Sequence, residues 1–330
     1  MADKVRQFTL YRIKNLDRAE QEYYQTLQRT LDKIEDDVVK LAGRELPTQA
    51  GKLIELQSAI AIRPKIKTIL QTQFLAWADT LTKKGFNRQA KRIERAFKGI
   101  GNIPIQFQEL TKGDLDLIRN LKLQTFTQFK DVSNTFTKRL ADKVYQNTLV
   151  GREFVELEQE LRQTINGIYS KTSDKEAQKL VDFVKKNKNK KSMQVSVDKA
   201  VQTLQSKFGR DRAGDNMRKY ASQLLNDGLR EFDAQVNAYK SQEAGLTHVK
   251  YFGDIIPTTR EVCKNILRGV YKKRQSNVFT IDEVRKLWRQ RSWSGKKPGD
   301  PLVVRGGYNC RHQWTYVSPD WYDSEGNLII

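Results

Sequence analysis

Hydrophobic residues recur at helical spacing through the first two thirds of the chain. The clearest stripe consists of Leu16, Tyr23, Leu27, Leu31, Ile34, Val38 and Leu41. Because residues three, four and seven positions apart lie on one face of an α-helix, this stripe predicts an amphipathic helix. Gly43 and Pro47 follow it, and they predict that the helix ends there.

The next helical patterns are separated by proline and glycine. At Pro64 we expect the backbone to bend or to restart its helix, because proline lacks the N–H that an interior helical position needs. A long stripe from Leu115 to Gly151 then contains Phe126, Phe129 and Phe136. Phenylalanines at helical spacing are far more often core residues than base-stacking surfaces, so we predict that this stripe is buried.

Two segments concentrate positive charge. The first is a basic helix with an apolar face of Phe86, Ala90, Ile93 and Phe97, before a break at Gly99, Gly101 and Pro104. Its candidate DNA-binding residues are Lys83, Lys84, Arg88, Lys91, Arg92 and Arg95. The second segment, KKNKNKK at residues 185–191, has no apolar residue to bury, so we expect an exposed loop. Its candidates are Lys185, Lys186, Lys188, Lys190 and Lys191. For both segments the alternative is a solvated surface without a ligand.

The texture changes after Gly245. Short β-prone pieces, HVKYFG and PLVVRGG, alternate there with turns rich in glycine and proline. One amphipathic helix is predicted from Ile281 to Trp288, with Thr280 as its N-cap and Glu283 completing a capping box. The sequence therefore predicts a mainly α protein, with an elongated helical body at residues 1–240 and a small α+β C-terminal module at residues 241–330.

Composition adds a class of partner. The 330-residue chain has 60 Lys and Arg against 39 Asp and Glu, a formal net charge of +21, and its pI is near 9.8. Such an excess favours polyanions, since each cation that neutralises a phosphate releases counterions. Only 38% of the residues are apolar, which predicts a thin core and large solvated helix faces.

No apolar run approaches the roughly 18 residues of a membrane span. The first residues, MADKVRQFTL, contain no apolar signal core, so we expect no secretion by the usual route. With two cysteines in the whole chain, we expect synthesis in a reducing cytoplasm.

Candidate metal ligands are confined to the last quarter of the chain: His248, Cys263, Cys310 and His312 are its only histidines and cysteines. Two thiolates and two imidazoles are the donor set of a closed tetrahedral zinc site. Their spacing differs from that of compact zinc fingers, because only one residue separates Cys310 from His312. A Cys263–Cys310 disulfide and two ordinary buried thiols beside a hydrogen-bonded histidine remain alternatives.

The residues around these ligands resemble a known module. Its first part is Thr258, Thr259, Arg260, Glu261, Val262 and Cys263, followed by Gly269, Val270 and Tyr271 and by the capped helix. The second part runs from Arg305 to Trp314 and contains GGYNCRH. This combination resembles the terminal module of the phage Mu F-like minor head proteins, in the branch shared with the SPP1 minor head protein. The resemblance covers about residues 220–318, and the first 220 residues match only in being helical.

The resemblance implies a non-enzymatic structural protein of a tailed-phage virion. Such a protein is made in the host cytoplasm and resides inside the capsid, where it is associated with the portal protein or the major capsid protein. It acts in head morphogenesis or genome ejection. The net charge of +21 predicts in addition that the chain contacts packaged double-stranded DNA without sequence specificity. The family's motif positions fall on Arg260, Cys263, Gly269, Asn309, Cys310, Arg311 and His312. Many relatives have a cysteine where Arg260 stands here, so His248 is the only fourth candidate ligand, and it is unaligned.

The alternative function is a zinc-dependent nucleic acid enzyme or toxin-like effector. Cys310 beside Arg311 is a candidate for a lowered thiol pKa, and His312 is a candidate base. No phosphate-binding glycine loop or carboxylate cluster accompanies them, which favours a structural role. For Arg305 and Arg311 we expect ion pairs with Asp254 or Asp300 rather than phosphate contacts.

Overall fold

Helices account for most of the fold. The structure is a computed structural model that describes residues 4–98, 109–188, 190–208, 215–272 and 277–321, without the side chains of residues 4–6, 8, 191, 208 and 321. The α-helices in these ranges are α1 (Lys4–Glu45), α2 (Leu56–Leu70), α3 (Ala76–Thr80), α4 (Phe86–Lys98), α5 (Lys112–Leu149), α6 (Phe154–Asn166), α7 (Lys175–Asn187), α8 (Gln194–Phe208), α9 (Met217–Glu243), α10 (Glu261–Leu267), α11 (Ile281–Gln290) and α12 (Pro301–Val304).

The strands form two small sheets. They are β1 (Thr48–Gln49), β2 (Lys52–Leu53), β3 (His248–Phe252), β4 (Val278–Thr280) and β5 (Gln313–Val317). Strands β1 and β2 form a short hairpin, whereas β3 lies between β4 and β5 in an antiparallel sheet of order β4-β3-β5. In that sheet His248 pairs with Thr280 and Val317, and Phe252 pairs with Gln313. The predicted fold class, mainly α with a small α+β module near the C-terminus, is confirmed.

The hydrophobic stripes account for the helices. Along α1 the predicted stripe is buried, and the helix ends at Glu45, between Gly43 and Pro47 as expected. Helix α5 ends at Leu149, just before Gly151, whose φ of +61° suits glycine. Phe129 and Phe136 are buried, which confirms their assignment to the core.

Two local details differ from expectation. Of the two outcomes expected at Pro64, a restart of the helix does not occur, since Pro64 lies inside α2; irregular turns come later, as π-helical segments at Gln71–Leu75 and Leu81–Gly85. The piece PLVVRGG is not a strand. Asp300 accepts a hydrogen bond from Leu302 N and Pro301 occupies the first turn, so its first residues form helix α12.

The chain divides into two compact units. Unit 1 comprises residues 1–20, 82–124 and 225–330, and unit 2 comprises residues 21–81 and 125–224. The domain boundary predicted near residue 240 falls inside unit 1, where it lies close to the end of α9 at Glu243. Among the described residues, we find no helix that combines the length and the apolar character needed to span a bilayer.

Buried ion pairs reinforce the packing of unit 1. Arg230 Nη2 lies 2.6 Å from both Asp17 Oδ1 and Glu20 Oε2. Lys240 Nζ lies 3.0 Å from Asp114 Oδ2, and both side chains are fully buried. Because an unpaired buried charge is strongly destabilising, these pairs fix the segments that meet there.

Unit 2 contains a similar polar network. Glu35 is buried and accepts hydrogen bonds from Asn166 and Arg162. Arg218 donates to Asn166 Oδ1 at 2.9 Å and to Asp32 Oδ1 at 3.1 Å. Burial raises the pKa of the Glu35 carboxyl, against the opposing effect of these hydrogen bonds.

Candidate metal centre

Two segments of unit 1 bring the chemical groups of the site together. Cys263 lies in the first turn of α10, where its N–H donates to the carbonyl of the N-cap residue Arg260. Cys310 and His312 lie between α12 and β5, and Cys310 N donates to Gly307 O. Strand β3 passes beneath both segments and contributes Tyr251.

Cys263, Cys310 and His312 form a compact thiol–imidazole cluster. One donor atom from each residue lies within 4.8 Å of the other two, and the Cys310 Sγ to His312 Nδ1 distance is 3.6 Å. All three side chains are buried, with exposed fractions of 1%, 3% and 6%. The prediction that these three residues converge in one small module is confirmed.

The cluster has the donor set of a zinc site, and its Cys310–His312 distance suits one. In tetrahedral zinc coordination two sulfurs lie about 2.3 Å and an imidazole nitrogen about 2.0 Å from the metal, which places neighbouring donors about 3.5–3.8 Å apart. Both cysteines are free thiols, so no disulfide occupies the position. The cluster can therefore hold a metal ion such as zinc.

Glycines allow the backbone to approach the cluster. A Cβ atom on Gly306 would lie 2.9 Å from Cys310 Sγ and closer still to Cys263 Sγ. A Cβ atom on Gly253, which has a φ of +147°, would overlap with the ring of His312. Trp293 Nε1 donates to Gly306 O at 3.0 Å and holds that backbone in place. These glycines therefore leave the space that the two sulfurs and the imidazole occupy.

Tyr251 also faces the cluster, although it is absent from the predicted site residues. Its side chain is 1% exposed, and its hydroxyl lies 3.3 Å from Cys310 Sγ and 3.7 Å from Cys263 Sγ. The ring stacks on His312, with centroids 5.3 Å apart. On a β-prone segment an alternating aromatic residue indicates core packing, so no local signal shows that this hydroxyl faces two thiols.

Each of the two thiols shifts the pKa of the other. The hydrogen bond to Cys310 and burial raise the pKa of Cys263. The same hydrogen bond, together with His312 and Arg305, lowers the pKa of Cys310 despite its burial. Two adjacent buried thiols do not both ionise without a compensating cation, whereas a metal ion binds both as thiolates.

Other residues of the motif hold the backbone around the cluster. Arg260 donates from Nε to Ser294 O at 3.1 Å and from Nη2 to Tyr308 O at 2.6 Å. Asn309 has a φ of +57°, and its N–H donates to Asp227 Oδ1 at 2.9 Å. Gly269, with a φ of +67°, terminates α10. In the structure these residues therefore position the backbone around the cluster.

Helix α9 anchors the segment that carries Cys310 and His312. Arg311 contributes its carbonyl oxygen, which accepts a hydrogen bond from Arg230 Nη1 at 3.2 Å. Asp227, on the same helix, accepts from Asn309 N. Burial raises the pKa of the Asp227 carboxyl, although that hydrogen bond and Lys297 act in the opposite direction.

His248 is not part of the cluster, so its prediction as a fourth ligand is wrong. It lies at the start of β3, four residues before Phe252, whose partner Gln313 directly follows His312. Its Nδ1 instead faces the Thr247 hydroxyl at 2.9 Å. A strand rises about 3.3 Å per residue, so the two histidines lie at opposite ends of the sheet.

The expected pairing of Arg305 is also wrong. Its guanidinium is buried and donates from Nη1 to Val303 O at 2.8 Å. Asp300 Oδ2 instead accepts from Arg285 Nη2 at 3.2 Å. Within the described ranges, Nε and Nη2 of Arg305 have no hydrogen-bond partner.

The predicted DNA-binding residues fall into two settings. In unit 1 an exposed set, which we call the α4 basic face, comprises Lys83, Lys84, Arg88, Lys91 and Arg95. Arg92 is half-buried and donates to Asn15 O at 3.3 Å. The apolar face of α4, including Phe86 and Ile93, is buried as predicted.

The segment 185–191 in unit 2 is not an exposed loop throughout. Lys185 and Lys186 belong to α7, and Lys185 pairs with Asp32 at 2.8 Å. Lys188 lies over the rings of Tyr24 and Tyr169, at 5.1 and 5.5 Å from their centroids. The exposed lysines of this segment are Lys186 and Lys190, and the side chain of Lys191 lies outside the described residues. Helix α7 extends this far because Val184 is a buried anchor one residue before the lysines.

Comparisons with known proteins add no relative. No protein-family model matches the chain, and searches of curated proteins and of solved structures also return no match.

Proposed function

We propose that the chain is a structural minor head protein of a tailed-phage virion, similar to the Mu F-like proteins, and that a zinc ion stabilises its C-terminal module. The observation that carries the proposal is the placement of the motif residues. Cys263 and the GGYNCRH residues, which are far apart in the sequence, converge on one buried thiol–imidazole cluster. If the motif defines a folded module, its residues have to meet in space, as they do here.

Zinc is the ion that suits this cluster best. Two thiolates and one imidazole are borderline-soft donors, which zinc prefers and which Mg²⁺ and Ca²⁺ do not. Bound zinc would neutralise the two thiolates and join α10 to the segment before β5. In a module with one short sheet and short helices, such a connection is a substantial source of folding free energy.

The burial of the cluster favours a structural role over a catalytic one. A catalytic zinc ion keeps a coordination position open to water and substrate. Here Gly306 covers the sulfurs on one side, and Tyr251 lies against them on another. The motif residues Arg260 and Asn309 are engaged with backbone and with Asp227, as expected for a scaffold.

The charge supports a position beside packaged DNA. The α4 basic face presents five exposed cations within unit 1, and the formal net charge of the chain is +21. Contacts of this kind reach phosphates and carry no sequence information. We propose the portal protein or the major capsid protein as the protein partner, with the chain inside the capsid and acting in head morphogenesis or genome ejection.

Metal analysis of the purified chain, combined with incubation on plasmid DNA, tests this proposal. We expect one zinc ion per chain and intact plasmid. Zinc-dependent cleavage that is abolished in Cys310→Ser would contradict the structural role and favour a zinc-dependent nucleic acid enzyme. A chain purified without chelators that contains no metal and takes up none would contradict the zinc site.

A further inference from the structure

The thiol–imidazole cluster supplies three donors, whereas structural zinc sites are almost always four-coordinate. His248 cannot be the fourth donor, because it lies at the opposite end of β3. The sequence contains no other cysteine or histidine. Among the described residues, the candidate for a fourth protein donor is therefore an oxygen atom that lies beside the cluster.

The hydroxyl of Tyr251 is such an oxygen. It lies 3.3 Å from Cys310 Sγ and 3.7 Å from Cys263 Sγ. Tyr251 is buried, and its ring packs against those of His312 and Trp314, with centroid distances of 5.3 and 4.4 Å. Packing against these two rings thus holds the oxygen within reach of both sulfurs.

The distances agree with the edges of one coordination tetrahedron. With zinc–sulfur bonds of about 2.3 Å and zinc–oxygen or zinc–nitrogen bonds of about 2.0 Å, sulfur and its neighbouring oxygen or nitrogen lie about 3.5 Å apart. The corresponding distances here are 3.3 and 3.7 Å from Tyr251 Oη to the sulfurs and 3.6 Å from Cys310 Sγ to His312 Nδ1. These three of the six edges therefore have the lengths that a tetrahedral zinc ion requires.

Gly306 lies against the same three atoms. A Cβ on Gly306 would approach Cys263 Sγ, Cys310 Sγ and, at 3.5 Å, Tyr251 Oη. The backbone of residue 306 therefore covers the face that these three atoms form. His312 lies beside Cys310. Within the described part of the chain, Tyr251 Oη is the side-chain oxygen that contacts both sulfurs.

We infer that Tyr251 Oη is the fourth donor and that the site is a closed centre of two cysteines, one histidine and one tyrosine. This inference rests on the zinc site proposed above. Zinc binds the phenolate form, so the phenol proton leaves to solvent together with the thiol protons when the metal binds. A phenolate donor closes the site to water without a fourth cysteine or histidine.

Tyr251→Phe tests the inference, with Tyr316→Phe as the matched control. Tyr316 is also a buried tyrosine of this sheet, on the neighbouring strand β5, but it is not among the residues of the cluster. Zinc affinity is measured in the full chain by competition with a chromophoric chelator. We expect Tyr251→Phe to weaken zinc binding at least about tenfold, the scale known for losses around metal sites, and Tyr316→Phe to leave it unchanged.

Cobalt substitution reports the coordination directly. Wild-type protein loaded with Co²⁺ should show the intense visible bands of a four-coordinate ion and no response to azide. Tyr251→Phe should show an altered spectrum that responds to azide, because a displaceable water takes the vacated position. If affinity falls but the cobalt spectrum and its inertness to azide are retained, Tyr251 is only a hydrogen-bond donor to a thiolate, and the inference is wrong.

A measurement on wild-type protein does not depend on the folding of any variant. Zinc added to metal-free protein should produce the near-ultraviolet difference absorption of one tyrosinate, and the same signal should appear in Tyr316→Phe. Zinc binding without a tyrosinate signal would overturn the tyrosine ligand and leave the zinc site intact. Absence of zinc binding in wild-type protein would overturn both proposals.

Discussion

The backbone of Gly306 lies against the sulfur of Cys263 so closely that a Cβ atom at position 306 would overlap with it. The same atom would lie 2.9 Å from Cys310 Sγ. Trp293 holds the Gly306 carbonyl by a hydrogen bond, so the backbone has little freedom to withdraw. The geometry of the cluster therefore depends on the absence of a side chain at this position.

Gly306→Ala should separate the two sulfurs. We expect a lower zinc affinity and a decrease of about 1–3 kcal/mol in the free energy of unfolding, the range for overpacking a tight core. Chelator competition and urea denaturation followed by circular dichroism measure the two effects. The control is Gly43→Ala. Gly43 lies in helix α1, and its new Cβ would meet only the side chain of Phe154, at 3.3 Å. Equal zinc affinity in wild type and Gly306→Ala would contradict the assigned geometry.

The capping box of α11 should make stability depend on pH. Partial burial opposes ionisation of Glu283, but hydrogen bonds from Thr280 N and Lys272 Nζ outweigh it and hold the pKa of Glu283 below its ordinary value. The stabilisation is therefore present above the unfolded-state pKa and disappears as pH falls through the folded-state pKa.

Glu283→Gln should accordingly lower the free energy of unfolding by about 0.5–1 kcal/mol at neutral pH, with the difference from wild type vanishing in acid. Denaturant titrations across the acidic range measure it. Glu261→Gln is the control, since Glu261 lies in the first turn of α10, and its carboxylate is mostly exposed and pairs with Lys264 at 3.3 Å. A difference for Glu283→Gln that grows towards low pH would be the wrong sign for this account.

The buried pair of Lys240 and Asp114 should contribute more to the free energy of unfolding than surface ion pairs do. Lys240→Met leaves the Asp114 carboxylate buried without its cation, which typically destabilises by about 3–5 kcal/mol. Adding Asp114→Asn should restore part of the stability, because the amide oxygen still accepts from Thr111 N. Lys264→Met, which removes an exposed pair, should change stability by less than about 1 kcal/mol. Urea denaturation measures both variants. Similar decreases in the free energy of unfolding for Lys240→Met and Lys264→Met would contradict this prediction.

DNA binding should be non-specific and depend on the α4 basic face. Neutralising Lys84, Lys91 and Arg95 to glutamine should reduce the slope of log K against log[salt] by up to about 0.9 for each phosphate that the variant no longer neutralises. The charge-matched control replaces Lys52, Arg63 and Lys67, which are exposed in unit 2. Fluorescence anisotropy with two unrelated duplexes over a range of salt concentrations measures both slopes. Equal slopes for the two variants, or strong preference for one duplex, would contradict the assignment.

Local sequence rules predicted the features that depend on neighbouring residues. The stripe along α1, the burial of Phe129 and Phe136, and the Thr280–Glu283 capping box follow from helical periodicity and hydrogen-bond chemistry within one turn. The convergence of Cys263 with Cys310 was predicted from composition, because few other residues in the chain can bind a soft metal.

The remaining features depend on tertiary structure. The sequence does not show that His248 and His312 lie at opposite ends of one sheet, since the register between β3 and β5 determines it. Tyr251 has the pattern of a core residue, and only the packing of three segments places its hydroxyl against two sulfurs. Lys185 and Lys188 belong to a basic run of the sequence. In the structure, however, Lys185 pairs with Asp32, and Lys188 lies over two tyrosine rings.

The proposed function makes the chain a component of a tailed-phage virion, and quantitative mass spectrometry of virions purified from cells that produce the chain tests this proposal most directly. Particles are treated with nuclease and protease before disruption, so that only enclosed proteins are counted. The account predicts that the chain is present and protected, in a number of copies comparable to the portal protein and far below the major capsid protein. Absence of the chain from these particles, while portal and capsid proteins are recovered, would contradict a structural role in the virion.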